Sequence, residues 1–151
     1  MEIERKFLCN KPDFELSVYK KANIIQYYVS TEPVIRIRRS DNSFFLTIKS
    51  KGSVSRQELE MEISEKEFDN LVKLTDKAPV SKTRYFIPLE NSLTAELDIY
   101  DGTLSGLFTV EVEFESLEDA VSFTPPEWFG KDVSEDNRYK NSSLYIKGLP
   151  E

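Results

Sequence analysis

The sequence contains no histidine and only one cysteine, Cys9. Without histidine, the serine–histidine and cysteine–histidine nucleophilic pairs are excluded, and so are histidine-rich zinc sites. A single cysteine cannot form a disulfide within the chain, and it argues strongly against a structural zinc site. Any hydrolytic chemistry must therefore use carboxylates, lysine, tyrosine or a metal ion held by oxygen ligands.

Long apolar runs and an excess of positive charge are also missing. No stretch reaches the ~20 apolar residues of a membrane-spanning helix, and charges from position 2 onward leave no signal-peptide core. The net charge of −7 argues against a broad nucleic-acid-binding surface. We expect a cytoplasmic monomer or homodimer without membrane or nucleic-acid partners. The 151 residues suffice for a single domain, 1–151.

Short runs of alternating polarity dominate the sequence and indicate β-strands. We predict eight strands, over residues 2–9, 24–30, 33–40, 43–50, 56–63, 80–88, 94–101 and 108–115. Turn signals such as "SDNS" at 40–43 and "LENS" at 89–92 separate several of them. Eight strands in hairpin succession favour a mainly β (α+β) fold, in which an antiparallel sheet closes into a barrel.

Helices are expected in only a few places. Ser64 and Glu67 form a capping box before apolar residues at helical spacing, which predicts a helix over 64–76. Ser116 is expected to cap a second helix, over 116–123. A short helical turn is predicted at 127–129, and a last helix from Ser134 to about Tyr145.

Charged residues on the predicted strands are sorted by sign. Arg36 and Arg38 share one face of their strand, and Glu111, Glu113 and Glu115 share one face of the last strand, because side chains alternate between faces. Same-face neighbours lie about 7 Å apart. A like-charged pair at that distance costs roughly 2.4 kcal/mol at an effective dielectric of ~20. Divalent metal ions would relieve the acidic strands, and a polyanion would relieve the basic strands.

Two interpretations of this pattern remain open. In one, the charged face is the solvated side of an ordinary sheet. In the other, it lines the inside of a barrel, whose apolar outer face is covered by the helices. A barrel of eight strands has room inside for side chains or for one small ligand.

The motif E-x-E-x-K at Glu2, Glu4 and Lys6, within "EIERKFL", resembles the signature of the CYTH superfamily, the triphosphate tunnel metalloenzymes. Further segments resemble the same family in the same order: "IIQYYVS", "VIRIRR", "FFLTIKSKGSVSRQELEMEI", "SKTRYFIP", "AELDIYDGTLSGLFTVEVEF" and "PPEWFGKDVSEDNRYKNSSL". Each segment alone is a weak signal. Their common order extends the resemblance over almost the whole chain.

The resemblance implies an eight-stranded antiparallel tunnel that binds triphosphate compounds together with divalent metal. The implied reaction is hydrolysis of inorganic tripolyphosphate to pyrophosphate and phosphate, with nucleoside triphosphates accepted more slowly. The alternatives are a class IV adenylate cyclase, a thiamine triphosphatase and a non-catalytic module that binds polyphosphate or nucleotides. The sequence shows no pocket for the base of ATP, which disfavours the cyclase.

The resemblance also implies roles for individual residues. The ligands of two Mg²⁺ or Mn²⁺ ions would be Glu2, Glu4, Asp98, Glu111 and Glu113. The triphosphate would be bound by Lys6, Arg36, Arg38, Lys49, Arg56, Arg84, Arg138 and Lys140, the last two from the closing helix. Lys82 would assist the leaving group, Tyr28 would position the terminal phosphate or water, and Glu62 would orient water or a metal. Glu58 and Glu60 are expected to pair with cations inside the tunnel.

Overall fold

The computed structural model describes residues 1–52 and 54–151. Ten strands in this part of the chain form one antiparallel sheet. They are β1 (Glu2–Cys9), β2 (Lys20–Thr31), β3 (Val34–Ser40), β4 (Ser43–Lys49), β5 (Ser55–Arg56), β6 (Glu58–Ile63), β7 (Val80–Pro88), β8 (Thr94–Tyr100), β9 (Phe108–Glu113) and β10 (Phe129–Asp132). The helices are α1 (Glu65–Val72), α2 (Leu117–Ser122) and α3 (Asn141–Lys147), with 3₁₀ turns at Glu90–Ser92, Gly102–Leu104 and Asn137–Tyr139.

The sheet curls into a nearly closed barrel. Its strands follow one another in the order β10-β1-β9-β8-β7-β2-β3-β4-β6. Strand β5, which has only two residues, pairs with β1, so that Arg56 lies opposite Glu2 and Ser55 opposite Ile3. The predicted antiparallel barrel is therefore confirmed, with two differences in strand count. The predicted strand 56–63 is interrupted at Gln57, and β10 adds an unpredicted strand beside β1.

Apolar side chains face outward from the barrel and form the core beneath the helices and loops. Phe7, Leu97 and Val110 belong to a cluster that packs against α2 and the segment that follows it. A second cluster lies under α1, where Phe68 packs on Ile37 and on Phe44. Each fully buried side chain of this size contributes about 1.5–3 kcal/mol. Because the apolar face is outside, the charged face lines the interior, as the second interpretation of the sequence predicts.

The first two helices begin where the sequence places them. The Ser64 hydroxyl accepts a hydrogen bond from the Glu67 amide at 3.0 Å, and the Glu67 carboxylate accepts one from the Ser64 amide at 2.8 Å. This capping box starts α1, which ends at Val72 rather than at residue 76. Ser116 caps α2 through the Asp119 amide. In the described part of the chain, no helix is long and apolar enough to cross a membrane.

The prediction of one last helix over 134–145 is wrong. A 3₁₀ turn at 137–139 is capped by the Asp136 carboxylate, and Lys140 then adopts an extended backbone with ψ 140° before α3 begins. The prediction of a helical turn at 127–129 is also wrong at its last residue. Phe129 begins β10, since its backbone pairs with β1 opposite Cys9, and its ring packs on that of Phe7 with centroids 5.0 Å apart.

Candidate active site

A cavity of about 260 Å³ lies inside the barrel, and charged side chains dominate its lining. Seven of the lining residues are cationic, namely Lys6, Arg36, Arg38, Lys49, Arg56, Arg84 and Lys140. Seven are carboxylates, namely Glu2, Glu4, Glu58, Glu60, Glu96, Glu111 and Glu113. The number of cationic residues therefore equals the number of carboxylates, and the position of each sign decides what the cavity can bind.

Most lining carboxylates and cations occupy different strands, although Lys6 lies on β1 and Lys49 Nζ contacts Glu2 Oε1 at 3.1 Å. Neighbouring strands β8, β9 and β1 carry the carboxylate wall, which we define as Glu2, Glu4, Glu96, Glu111 and Glu113. Strands β7, β3 and β4 carry the cationic wall, which we define as Arg36, Arg38, Lys49 and Arg84. An elongated ligand in this cavity would meet negative charge on one side and positive charge on the other.

Carboxylates lie opposite one another across the strands of the carboxylate wall. The pairing of β1 with β9 places Glu4 opposite Glu113, and the pairing of β8 with β9 places Glu96 opposite Glu111. Burial, together with the charges of Glu111 and Glu2, raises the pKa of Glu4 well above its usual range. Burial opposes ionisation of Glu111 as well, but Lys6 and Arg84 outweigh it and hold the pKa of Glu111 well below its usual range. The wall therefore combines a carboxylate that resists ionisation with one that is strongly ionised.

Two arginines of the cationic wall, Arg36 and Arg38, donate hydrogen bonds to neutral side chains. Arg36 Nη2 donates to Thr47 Oγ1 at 3.2 Å, and Arg38 Nε donates to Gln26 Oε1 at 3.0 Å. The buried Nε of Arg36 has no hydrogen-bond partner among the described residues. Burial and the charges of Arg36 and Arg84 lower the pKa of Arg38 to about 9. Guanidinium groups crowded in this way favour a ligand with several anionic oxygens.

Two carboxylates from β6 contact the cationic wall. Glu58 Oε2 lies 3.4 Å from Lys49 Nζ, and Glu60 Oε2 lies 3.6 Å from Arg36 Nη2. Thr47 Oγ1 donates to the same Glu60 oxygen at 2.8 Å. These pairings with interior cations agree with the sequence prediction. We call Glu58 and Glu60 the edge carboxylates.

A buried ion cluster joins Arg84, in the cavity lining, to Asp98 and Lys82, which lie behind the lining with no solvent exposure. Arg84 grips Asp98 with two parallel hydrogen bonds, Nε to Oδ1 at 2.8 Å and Nη2 to Oδ2 at 2.9 Å. Lys82 Nζ lies 2.7 Å from Asp98 Oδ2, and burial lowers the pKa of this ammonium to about 7. Both Asp98 oxygens are therefore occupied by protein cations. The cluster fixes the head group of Arg84 at the cavity surface.

The family model of the CYTH domain matches residues 1–143. This chain belongs to the CYTH family. It is 44% identical over 149 residues to the inorganic triphosphatase of Nitrosomonas europaea, covering 96% of this chain and 97% of that protein. It is 33% identical over 147 residues to the inorganic triphosphatase of Acetivibrio thermocellus, covering 95% and 92%. A crystal structure of the inorganic triphosphatase NE1496 is similar, with a TM-score of 0.71 and 39% identity over 99% of this chain and 97% of that one.

CYTH triphosphatases generally depend on a divalent metal ion, and the carboxylate wall offers donors for one. Glu111 Oε1 is buried and accepts no hydrogen bond from the described residues, since Arg84 Nη2 is 3.6 Å away. An unsatisfied buried carboxylate oxygen is costly. A divalent ion would satisfy it and would also balance the charge beside Glu4. No group of three or more carboxylate or cysteine side chains within residues 1–52 and 54–151 is already arranged to hold an ion, so binding would draw the oxygens together.

Most of the residues singled out in the sequence of this CYTH protein come together in the structure. Of the sixteen that the sequence assigns to metal binding, triphosphate binding or catalysis, twelve line the cavity: Glu2, Glu4, Lys6, Tyr28, Arg36, Arg38, Lys49, Arg56, Arg84, Glu111, Glu113 and Lys140. The other four do not. Lys82 and Asp98 lie buried behind the lining, and Glu62 is exposed on β6. Arg138 pairs with Asp136 at 2.7 Å in the 3₁₀ turn, rather than lying on a helix.

The structure also adds residues to the cavity. Glu96 lines it, and its position two residues from Asp98 on a strand could have revealed it. Ser134, Tyr139 and Ser142 line it too, but they come from segments with no strand periodicity. The Tyr139 carbonyl accepts a hydrogen bond from Lys6 Nζ at 2.6 Å. Part of the cavity lining is thus supplied by the polypeptide backbone between β10 and α3.

Proposed function

We propose that this CYTH protein hydrolyses inorganic tripolyphosphate to pyrophosphate and phosphate, in a reaction that depends on a divalent metal ion. The observation that carries the proposal is the sorting of carboxylates and cations onto different walls of one cavity. The names of two relatives, inorganic triphosphatases at 44% and 33% identity, support the same substrate. Phosphoryl transfer needs mainly positioning and charge stabilisation, and both walls are suited to that.

The cationic wall would bind the phosphate oxygens. Each arginine can clamp two oxygens with its planar fork, while Lys49 acts as a point charge. The hydrogen bonds from Arg36 to Thr47 and from Arg84 to Asp98 hold the forks before any ligand arrives. Preorganised cations lose little conformational entropy when they bind. Lys6, Arg56 and Lys140 would add charge at the ends of the same ligand.

The carboxylate wall would hold the metal through Glu2, Glu4, Glu111 and Glu113. These oxygen donors suit Mg²⁺ or Mn²⁺, and we propose two ions. When bound, the metal supplies charge neutralisation at the phosphates and a lowered pKa for water. Asp98 is excluded from this ligand set in our proposal, because its two oxygens bind Arg84 and Lys82 and its side chain is completely buried behind the lining. Glu2 also accepts hydrogen bonds from Lys49 and Arg56, but its side chain lines the cavity and is 12% exposed.

Two further side chains contribute in different ways. Tyr28 lines the cavity, and burial raises the pKa of its hydroxyl, which therefore stays protonated and donates a hydrogen bond to a terminal phosphate oxygen. Lys82 does not reach the cavity lining. In this proposal it acts on the leaving group indirectly, because it holds Asp98, which in turn orients Arg84.

The size of the cavity favours an inorganic substrate. Pockets for drug-sized ligands measure roughly 300–1,000 Å³, whereas this cavity measures about 260 Å³. A nucleotide or thiamine group would have to extend beyond it. We therefore expect ATP and thiamine triphosphate to be poorer substrates than tripolyphosphate, and we disfavour the cyclase.

The proposal is tested by phosphate release from tripolyphosphate, ATP, thiamine triphosphate and pyrophosphate, each with Mg²⁺, with Mn²⁺ and with EDTA. We expect tripolyphosphate to be the best substrate and EDTA to abolish turnover. Undiminished turnover in excess EDTA would rule out the metal role. Cyclic AMP formed from ATP as fast as phosphate would favour the cyclase, and tight binding without turnover would favour a binding module.

We further propose that residues 1–151 act as one domain in the cytoplasm, as a monomer or a homodimer, without nucleic-acid or membrane partners. The free thiol of Cys9 and the net charge of −7 support this setting. Size-exclusion chromatography with light scattering would establish the oligomeric state.

A further inference from the structure

The edge carboxylates come from a strand that pairs on one side only in the described part of the chain. Strand β6 bonds to β4, and no second neighbour flanks it. Its residues Glu58–Glu62 are exposed, and the Glu60 side chain keeps 40% of its accessible surface. The two carboxylates nevertheless reach inward to the most buried part of the cationic wall.

Each edge carboxylate lies beside a cation that a phosphate oxygen would need. Glu60 lies against Arg36, whose side chain is 6% exposed, and Glu58 lies against Lys49, whose side chain is 8% exposed. An anion cannot contact Arg36 and Lys49 closely while these carboxylates remain, because like charges at such short range repel strongly. Binding must therefore displace them.

The contact between Glu60 and Arg36 is weak enough for an anionic ligand to displace the carboxylate. The Arg36–Glu60 separation of 3.6 Å is an ion contact without a hydrogen bond, and Arg36 Nε has no partner among the described residues. The firmest bond that Glu60 makes is the one it accepts from Thr47, at 2.8 Å. By contrast, Asp98 accepts two charge-assisted hydrogen bonds from Arg84 and is not exposed at all. The protein therefore has a permanent partner for Arg84 and a replaceable one for Arg36. Lys49 has one replaceable partner, Glu58, and also donates hydrogen bonds to both oxygens of Glu2, at 3.1 and 3.2 Å.

We propose that Glu58 and Glu60 compete with anionic ligands for Lys49 and Arg36, and so prevent the enzyme from retaining its pyrophosphate product. This inference rests on the proposed function of the cavity. The cost of displacing the two carboxylates is the same for any anion that reaches both cations. A longer anion has more contacts to offset this cost, whereas a shorter product has fewer and is released.

The test measures pyrophosphate binding by calorimetry in EDTA, so that no metal ion contributes. Glu60→Gln and Glu58→Gln should each lower the dissociation constant about two- to fivefold, the range expected for losing a partly exposed ion pair. The double variant should bind more tightly than either single variant. Glu127→Gln is the control, because it removes one charge at an exposed position outside the cavity lining and should leave binding unchanged.

A second variant separates direct competition from a general loss of negative charge. Glu62→Gln removes one negative charge from the same strand β6, at an exposed position outside the cavity lining, so it should leave pyrophosphate binding unchanged. Melting temperatures in EDTA establish that each variant is folded. In steady-state assays with Mg²⁺, the Glu58 and Glu60 variants should show stronger inhibition by pyrophosphate and a lower KM for tripolyphosphate.

The outcomes distinguish this inference from the proposed function. Unchanged pyrophosphate affinity in both the Glu58 and Glu60 variants would show that the edge carboxylates do not compete, and weaker binding would show that they help to hold the ligand. Weaker binding that appears only with Mg²⁺ would make them metal ligands and would overturn the inference. If wild-type protein releases no phosphate from tripolyphosphate, the proposed function fails, while the calorimetry in EDTA still decides whether the carboxylates compete.

Discussion

The Lys82 ammonium lies 2.7 Å from the Asp98 carboxylate, and solvent reaches neither side chain. Arg84 binds the same carboxylate through both of its oxygens. One negative charge therefore balances two buried cations, of which Lys82 lies behind the cavity lining and Arg84 belongs to it. A cluster of this kind stabilises the protein only while it is complete, because an unpaired buried charge is far more costly than a buried pair.

We predict that Asp98→Asn lowers the free energy of unfolding by about 3–5 kcal/mol, since it leaves Lys82 and Arg84 without their common counter-charge. Urea denaturation in EDTA measures this. Glu96→Gln is the matched control on the same strand and face. Its side chain keeps 27% exposure and lies 3.6 Å from Arg84, so its loss should cost only about 0–1 kcal/mol. The opposite outcome is an Asp98→Asn protein that is as stable as wild type but is no longer stabilised by added metal. That result would identify Asp98 as a metal ligand.

The alternation of side chains along a strand predicts which face of the sheet a residue occupies. It does not predict whether the side chain reaches the cavity. Lys82 and Arg84 have the same parity, and both face inward as predicted, yet only Arg84 reaches the cavity lining. Glu62 has the parity of Glu58 and Glu60 but does not line the cavity. Strands cross a barrel at a tilt, so residues of one parity lie at different heights along its axis. The height depends on the pairing register, which a single sequence does not provide.

The segment after the barrel strands was the least predictable. The sequence predicts that Arg138 binds the triphosphate from a closing helix, but Asp136 both caps its turn and pairs with its guanidinium. The sequence places Lys140 on the same helix, and it does line the cavity, although it precedes α3. Local hydrogen bonds of this kind compete with helix formation, and the outcome depends on contacts with the barrel.

We predict that Glu4→Gln and Glu113→Gln each reduce turnover with Mg²⁺ by orders of magnitude, while both proteins stay folded. The reason is the loss of a carboxylate that would hold the metal. Because burial and neighbouring carboxylates already disfavour the ionised form of Glu4, the Glu4→Gln protein should melt in EDTA at or above the wild-type temperature. Phosphate release and melting curves check the two parts. Wild-type turnover in both variants, or unfolding of both, would show that these carboxylates are idle or purely structural.

We predict that Arg36→Ala and Arg38→Ala each lower kcat/KM for tripolyphosphate roughly 10- to 150-fold, corresponding to ~1.5–3 kcal/mol for a lost charge-assisted contact. Arg39→Ala is the control, because Arg39 is exposed on the opposite face of the same strand.

Tripolyphosphate with Mg²⁺ should also raise the melting temperature of wild type, since the ligand binds only the folded state. That rise should shrink in the Arg36 and Arg38 variants and persist in the Arg39 variant. A wild-type melting temperature that ignores both ligand and metal would argue against a binding cavity.

The last prediction concerns the outer face of β1, away from the cavity. Arg5 Nη2 lies 2.9 Å from Asp132 Oδ2, and Arg5 Nη1 donates to the Ala120 carbonyl at 2.9 Å and to the Phe123 carbonyl at 3.2 Å. One side chain thus ties β1 to β10 and to the end of α2. Burial opposes the ionised form of Asp132, but hydrogen bonds from Ser134 and Arg5 outweigh it and lower its pKa below the usual range.

A lowered pKa in the folded state means that the unfolded state binds a proton more readily. The charge of Asp132 therefore contributes stability above the unfolded pKa of about 3.9, and this contribution is lost as the pH falls through the folded value. We predict that Asp132→Asn is less stable than wild type at pH 7, by about 0–1 kcal/mol for this partly exposed pair, with little change in turnover. The difference between the two proteins should persist at pH 5 and narrow as the pH falls below about 3.9 toward the lower folded pKa, as measured by urea denaturation at each pH. A difference that stays constant down to pH 3 would mean that the Asp132 charge does not stabilise the link between β1 and β10.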